Sequence, residues 1–135
     1  MIYEGTIQYV IIDKNGNDKT IKESFIINDV ETFSEAEEKL YKESGEKTAF
    51  EVLGIKRSKV IEIANQRIYD DDMIYQVVLN DVFTDDNGEE KTMKYVIVLY
   101  ANGIEKAYSF IKEYISQRYD MELIGIKKTR FVDVI

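Results

Sequence analysis

Apolar and polar residues alternate from Tyr3 to Ile11, with Tyr3, Ile7, Tyr9 and Ile11 on one face and Glu4, Thr6 and Gln8 on the other. A period of two is that of a β-strand. Asn15-Gly16 supplies the positive φ of a tight hairpin, and Ile21, Phe25 and Ile27, alternating with Lys22 and Ser24, mark the returning strand. The period then lengthens. Phe33, Ala36 and Leu40 form a helical stripe, Ser34-x-x-Glu37 reads as its capping box, and Gly45 offers a stop. A last apolar stretch, Val52 to Ile63, predicts a third strand interrupted by Lys56-Arg57-Ser58-Lys59.

The same series then recurs. Val52–Ile63 returns as Leu123–Val134 with every position keeping its chemical class, and the two glycines lie 125 − 54 = 71 residues apart. Asn15-Gly16 returns as Asn87-Gly88, 87 − 15 = 72 residues on. Tyr75, Val77, Leu79 and Phe83, then Met93, Tyr95, Ile97 and Leu99, give the second hairpin. Its other face is also partly apolar (Val78, Val82, Val96, Val98), which predicts cover on both faces. Asn102 is the expected N-cap of a second helix with the stripe Ile104, Ala107, Tyr108, Ile111 and Ile115.

The predicted fold class is therefore α+β: an internally duplicated β-β-α-β unit forming a mainly antiparallel sheet with two helices packed on it. A right-handed crossover makes the second and third strands of a unit parallel, and the first strand is expected between them. The expected organisation is a single domain of two pseudo-symmetric repeats, about 1–64 and 73–135, joined by a polar loop, 65–72. The pattern is compatible with one sheet, two packed sheets or a partial barrel.

Composition narrows the chemistry. At 135 residues the chain can bury a real core, whereas either half alone would be marginal. It has no cysteine, which excludes disulfides and thiolate chemistry, and no histidine, which excludes imidazole bases and imidazole-ligated zinc. No apolar run is long enough for a bilayer and no secretion signal opens the chain, so a soluble cytoplasmic protein without membrane contact is expected. The net charge of −8 is evenly spread, with 9 basic and 13 acidic residues in positions 1–64 and the same in 65–135. Such acidity opposes non-specific binding to nucleic acid or anionic lipid. Asp70-Asp71-Asp72 reads as a solvated acidic loop, and Asp13-x-Asn15-x-Asn17 as a turn rather than a calcium loop. A catalytic role is not expected, and neither a metal nor another cofactor.

The candidate binding residues are two basic quartets, Lys56-Arg57-Ser58-Lys59 and Lys127-Lys128-Thr129-Arg130, which hold six of the eighteen positive charges. Three cations and a hydroxyl in four positions could grip phosphates. The structural alternative is that they solvate a protruding strand, blunt its edge and pair with Glu35, Glu37 and Glu38.

Tyr3-Glu4 at the start of a strand, Thr32-Phe33-Ser34-Glu35-Ala36-Glu37 entering the helix, and Phe50-Glu51-Val52 leading to Ile55-Lys56-Arg57-Ser58-Lys59 before Glu62-Ile63 resemble DUF4494, a domain family of unknown function, over essentially the whole chain. The resemblance implies a setting in Bacteroidota and their phages or prophages, and no assigned chemistry. The leading expectation is a small acidic non-catalytic interaction protein of phage or mobile-element type. It would engage a protein partner or itself, with inhibition of a host defence system as a sharper form. The alternative is a binder of nucleotides or nucleic acid through the paired quartets.

Overall fold

Two turns of the same construction set the hairpins. The amide of Asp13 donates to Asn17 O (2.8 Å), that of Gly16 donates to Asp13 O (3.1 Å), and Asp13 Oδ1 accepts from the amides of Asn15 and Asn17 (both 2.9 Å). Asp85 repeats this with Glu89, Gly88, Asn87 and Glu89 again. Only the glycines carry the positive φ, +78° at Gly16 and +79° at Gly88. The loops are thus three-residue turns with a left-handed glycine, not two-residue Asn-Gly turns, and the aspartate locks each one.

In the computed structural model, which describes residues 1–45, 49–118 and 120–135, the elements follow in the order β1 (Tyr3–Ile12), β2 (Asp18–Ile27), α1 (Phe33–Ser44), β3 (Phe50–Arg57), β4 (Val60–Ile63), β5 (Met73–Thr84), β6 (Glu90–Ala101), α2 (Ile104–Ser116), β7 (Met121–Lys128) and β8 (Phe131–Val134). They build two four-stranded sheets, β3-β1-β2-β8 and β7-β5-β6-β4. In each, the first strand of the hairpin lies between the other two, antiparallel to both, as the crossover argument expects. The fold is α+β and mostly antiparallel; the exceptions are the parallel pairs β2–β8 and β4–β6.

The expected third strand is not continuous. It ends at Arg57, skips Ser58 and Lys59, and resumes as β4 in the other sheet; β7 and β8 are separated in the same way by Thr129 and Arg130. The chain accordingly forms two compact units, Met1–Lys59 with Arg130–Ile135, and Val60–Thr129. The polar loop between β4 and β5 belongs wholly to the second unit.

Each unit has its own core. In the first, Tyr3, Ile7, Phe25 and Ile27 from the hairpin meet Val30 and Ala36 and Leu40 of α1. In the second, Tyr75, Val77, Leu79, Ile97, Leu99 and Ala101 meet Ala107 and Ile111 of α2. On the other face of the second hairpin Val98 is buried and Val78, Val82 and Val96 are half-buried, so the cover that the two-sided apolar pattern predicted is partial. The helical stripes are narrower than the sequence suggests, since Phe33, Ile104 and Tyr108 are exposed.

The caps differ too. Thr32, not Ser34, caps α1: its hydroxyl accepts from the amide of Glu35 (3.2 Å), and Glu35 Oε2 accepts from the amide of Glu31 (2.8 Å). Thr32 stands immediately before the helix, which Phe33 opens, and Glu35 lies in its first turn. Gly103, not Asn102, occupies the N-cap of α2, and Asn102 Nδ2 instead donates to Asp71 Oδ2 (2.7 Å).

Gly5 is the tightest point of the first core. A Cβ there would lie 2.7 Å from Leu40 Cδ2 and 3.1 Å from Ile27 Cδ1, two side chains that are fully buried. Gly5→Ala is expected to cost roughly 1–3 kcal/mol through overpacking, and Gly54→Ala, whose Cβ would meet nothing within 4 Å, much less. Denaturant unfolding of both variants checks the contrast; equal losses would mean that Leu40 can move aside.

Candidate functional site

The structure separates the members of each quartet. Lys56 and Arg57 end β3, Lys127 and Lys128 end β7, and Ser58, Lys59, Thr129 and Arg130 lie in the breaks that follow. The hydroxyls serve the breaks. Ser58 Oγ donates to Glu4 Oε2 (2.7 Å) and its amide to Ile2 O (2.9 Å). Thr129 sends both its Oγ1 (2.8 Å) and its amide (3.0 Å) to Ile74 O. Ser58 and Thr129 thus have a structural part, each satisfying polar groups where a strand leaves its sheet. Lys56, Arg57, Lys59, Lys127, Lys128 and Arg130 are exposed, and among the described residues none of them forms an ion pair with Glu35, Glu37 or Glu38.

One member of each quartet, Lys56 and Arg130, lines the same cavity in the first unit. It measures about 500 Å³ and runs across the sheet between Glu4 and Thr6 of β1, Ser24 of β2, Leu53 to Lys56 of β3, and Phe131 of β8. Strand register explains the grouping. Thr6 is opposite both Ser24 and Gly54, and Ser24 is opposite Phe131, so these positions form a row across all four strands. Thr6 Oγ1 and Ser24 Oγ share a hydrogen bond of 2.8 Å. Gly54 leaves open space in that row, since a Cβ there would touch nothing. Leu53 and Phe131 supply the apolar side chains of the lining, with the lysine and arginine beside them, whereas the Ile55 side chain packs on the first core. In the second unit the corresponding row has Val78 opposite Val96, without the paired hydroxyls.

Irregular pairing shapes every outer strand. The register of β3 slips at Leu53, that of β7 at Ile124, that of β4 at Ile61 and that of β8 at Val132. All four are exposed. Such bulges disrupt the ladder and oppose edge-to-edge addition of another strand.

A second, smaller cavity of about 270 Å³ lies in the second unit between Ile61 and Glu62 of β4, Tyr95 and Ile97 of β6, Tyr114 of α2, and Arg118. Tyr114 donates its hydroxyl proton to Glu62 Oε2. The Arg118 guanidinium lies 3.6 Å from the centre of the Tyr114 ring and donates to Tyr114 O (3.0 Å). Burial, then the hydrogen bond to Glu62 and the charge of that carboxylate, push the phenol up to about 12, against a lowering by Arg118. This cluster ties the C-terminal turn of α2 to β4.

In the loop between β4 and β5, Asp70 and Asp71 are exposed as the sequence suggested, and Asp72 is not. Asp72 is 5% exposed, and its Oδ2 accepts from the amides of Ile68 and Tyr69, both 3.0 Å. Those two amides, rather than a neighbouring cation, are the main reason why its carboxyl is held below the usual value. No periodicity announces this role, because an aspartate that folds back on amides three and four residues earlier has the same local sequence as a solvated one. Among the described residues, no group of three or more acidic side chains converges as a metal site, and no helix is long and apolar enough to cross a membrane.

Tyr114→Phe tests the smaller cluster. A raised phenol stabilises the fold fully below pH 10, and that contribution is lost as the pH climbs through about 12. Unfolding curves should show the variant less stable by about 1 kcal/mol at neutral pH. The gap should close across that alkaline window, and a gap that stays constant through it would remove the linkage.

The model of the family described as "Domain of unknown function (DUF4494)" matches residues 1–135, and the chain belongs to that family. No curated protein and no solved structure matches it.

Proposed function

We propose that this member of the DUF4494 family is a non-catalytic protein-binding module, whose first unit receives an apolar side chain flanked by carboxylates. The observation that carries this reading is the cavity itself: Leu53 and Phe131 line it, and Lys56 and Arg130 stand beside them without ion-pair partners among the described residues. A volume of about 500 Å³ is that of a pocket for a small ligand or a few side chains. An aromatic or aliphatic anchor in such a pocket, ringed by charge, is the usual source of binding energy in a protein interface.

A second reading, a nucleotide held by the same two cations with its base against Phe131, is favoured by the meeting of one residue from each quartet. It is the weaker of the two for a physical reason. Phosphate sites rely on converging backbone amides at a helix N-terminus or a glycine-rich turn. The start of α1 does not line the cavity, nor does any of the left-handed glycines, Gly16, Gly88 and Gly103. The charge of −8 also opposes a polyanion.

Native mass spectrometry of protein purified at low salt, with absorbance at 260 and 280 nm, separates these readings. The expected result is a chain free of any nucleotide-sized adduct. A retained adduct with raised 260 nm absorbance, lost on Lys56→Ala or Arg130→Ala, would transfer the cavity to the nucleotide reading.

A further inference from the structure

The same chain carries a segment with the chemistry that this cavity would take. The loop from Asn65 to Asp72 presents Ile68 and Tyr69, 76% and 62% exposed, at its tip, with the exposed Asp70 and Asp71 directly after them. Exposed apolar residues in a loose loop would be unremarkable, but this loop is held at both ends. Asn65 Oδ1 accepts from the amide of Tyr100 (2.7 Å) and its Nδ2 donates to Tyr100 O (2.9 Å), so the side chain pairs with β6 as a strand residue would. Arg67 Nη1 donates to Asp72 O (2.6 Å) and Asp70 O (3.3 Å), while its guanidinium lies 4.8 Å from the centre of the Tyr100 ring. The Asp72 carboxylate holds the amides of Ile68 and Tyr69 themselves, and the Asp72 amide donates to Tyr69 O (3.0 Å). The two side chains are therefore displayed on a fixed backbone, which removes most of the ordering cost of binding them.

We infer that the occupant of the first unit's cavity is this loop from a second copy of the chain. Ile68 and Tyr69 enter beside Leu53 and Phe131, and Asp70 and Asp71 face Lys56 and Arg130. This inference rests on the protein-binding reading of the cavity and names its partner. Charge complementarity selects the second copy: the loop is apolar with carboxylates at one side, and the cavity is apolar with cations at one side. Since the two surfaces differ, the contact is heterologous. It either closes, as a reciprocal pair or a ring, or propagates.

Sedimentation velocity over a micromolar to millimolar series tests it. Wild-type protein is expected to associate reversibly, and more weakly as salt rises. Ile68→Ser with Tyr69→Ser should weaken association roughly 30-fold or more, the effect of removing an interface anchor. Asp70→Lys with Asp71→Lys should abolish it, as should Lys56→Glu with Arg130→Glu, because each double variant sets like charge against like. An equimolar mixture of these two charge variants should associate again, since each loop then meets a cavity of opposite sign; a simple failure to fold could not be rescued in this way. Gly54→Leu, which fills the cavity from a position with open space, should also block assembly.

A wild-type chain that sediments as a monomer at every concentration overturns the inference. If that species is also free of nucleotide, the protein-binding reading survives with another partner; if it carries nucleotide, both fall. Association that Gly54→Leu abolishes but the loop variants leave intact removes the loop and keeps the cavity. Association indifferent to all of these variants overturns both.

Discussion

A β-strand keeps adding hydrogen bonds only while it stays in register with a neighbour, and this chain gives up that register twice, at Ser58-Lys59 and at Thr129-Arg130. Polar groups freed at such a break must find partners or be solvated. Here the amides of Ser58 and Thr129 go to the carbonyls of Ile2 and Ile74, and the hydroxyls to Glu4 and to Ile74 again. The rest of the architecture depends on these two satisfied breaks. Because of them, the sheet of the first unit takes its fourth strand, β8, from the end of the chain, and the sheet of the second takes β4 from the first half. Without them, β2 and β6 would each present a bare edge beside a buried residue, Ile26 or Val98.

The two sheets have the same strand order and slip register at equivalent places, yet they offer different surfaces. A hydrogen-bonded Thr6–Ser24 pair lies in the row where the second sheet has Val78 and Val96. Gly54 opens the row on one side and Phe131 bounds it on the other, so a cavity with two cations forms there. In the second unit, the corresponding individuality lies in the loop before β5 and in the contact of Tyr114 with Glu62. Two similar frameworks thus carry different side chains. A framework can be kept by any residues of the right size and periodicity, while a binding surface needs particular ones.

Much of the framework was legible because it rests on short-range rules. Alternation at Tyr3 to Tyr9 placed the core face of β1, and Asp13 to Gly16 and Asp85 to Gly88 announced turns. Legibility failed by one or two residues wherever a polar side chain had two local choices. Ser34 and Thr32 both precede a glutamate at the capping distance, and only the path of the chain into α1 makes Thr32 the cap. The hydrogen bonds of Ser58 to Glu4 and of Thr129 to Ile74 join residues more than fifty positions apart, which no local pattern announces. Asp72 looks like its neighbours Asp70 and Asp71, and it alone turns inward to hold two amides.

By itself, the sequence determined the α+β class, the two hairpins, the two helices and the position of the first strand between its partners. All of these follow from periodicity and turn chemistry acting over a few residues. Only the tertiary structure decided that each apolar stretch after a helix is two strands in two sheets, that Lys56 and Arg130 share a cavity, and that Ile68 and Tyr69 stand on a fixed loop. Each of these depends on residues far apart in sequence being brought into register. A period of two is the same whether a strand continues or changes sheet, and an exposed lysine has the same local pattern whether it borders a cavity or open solvent.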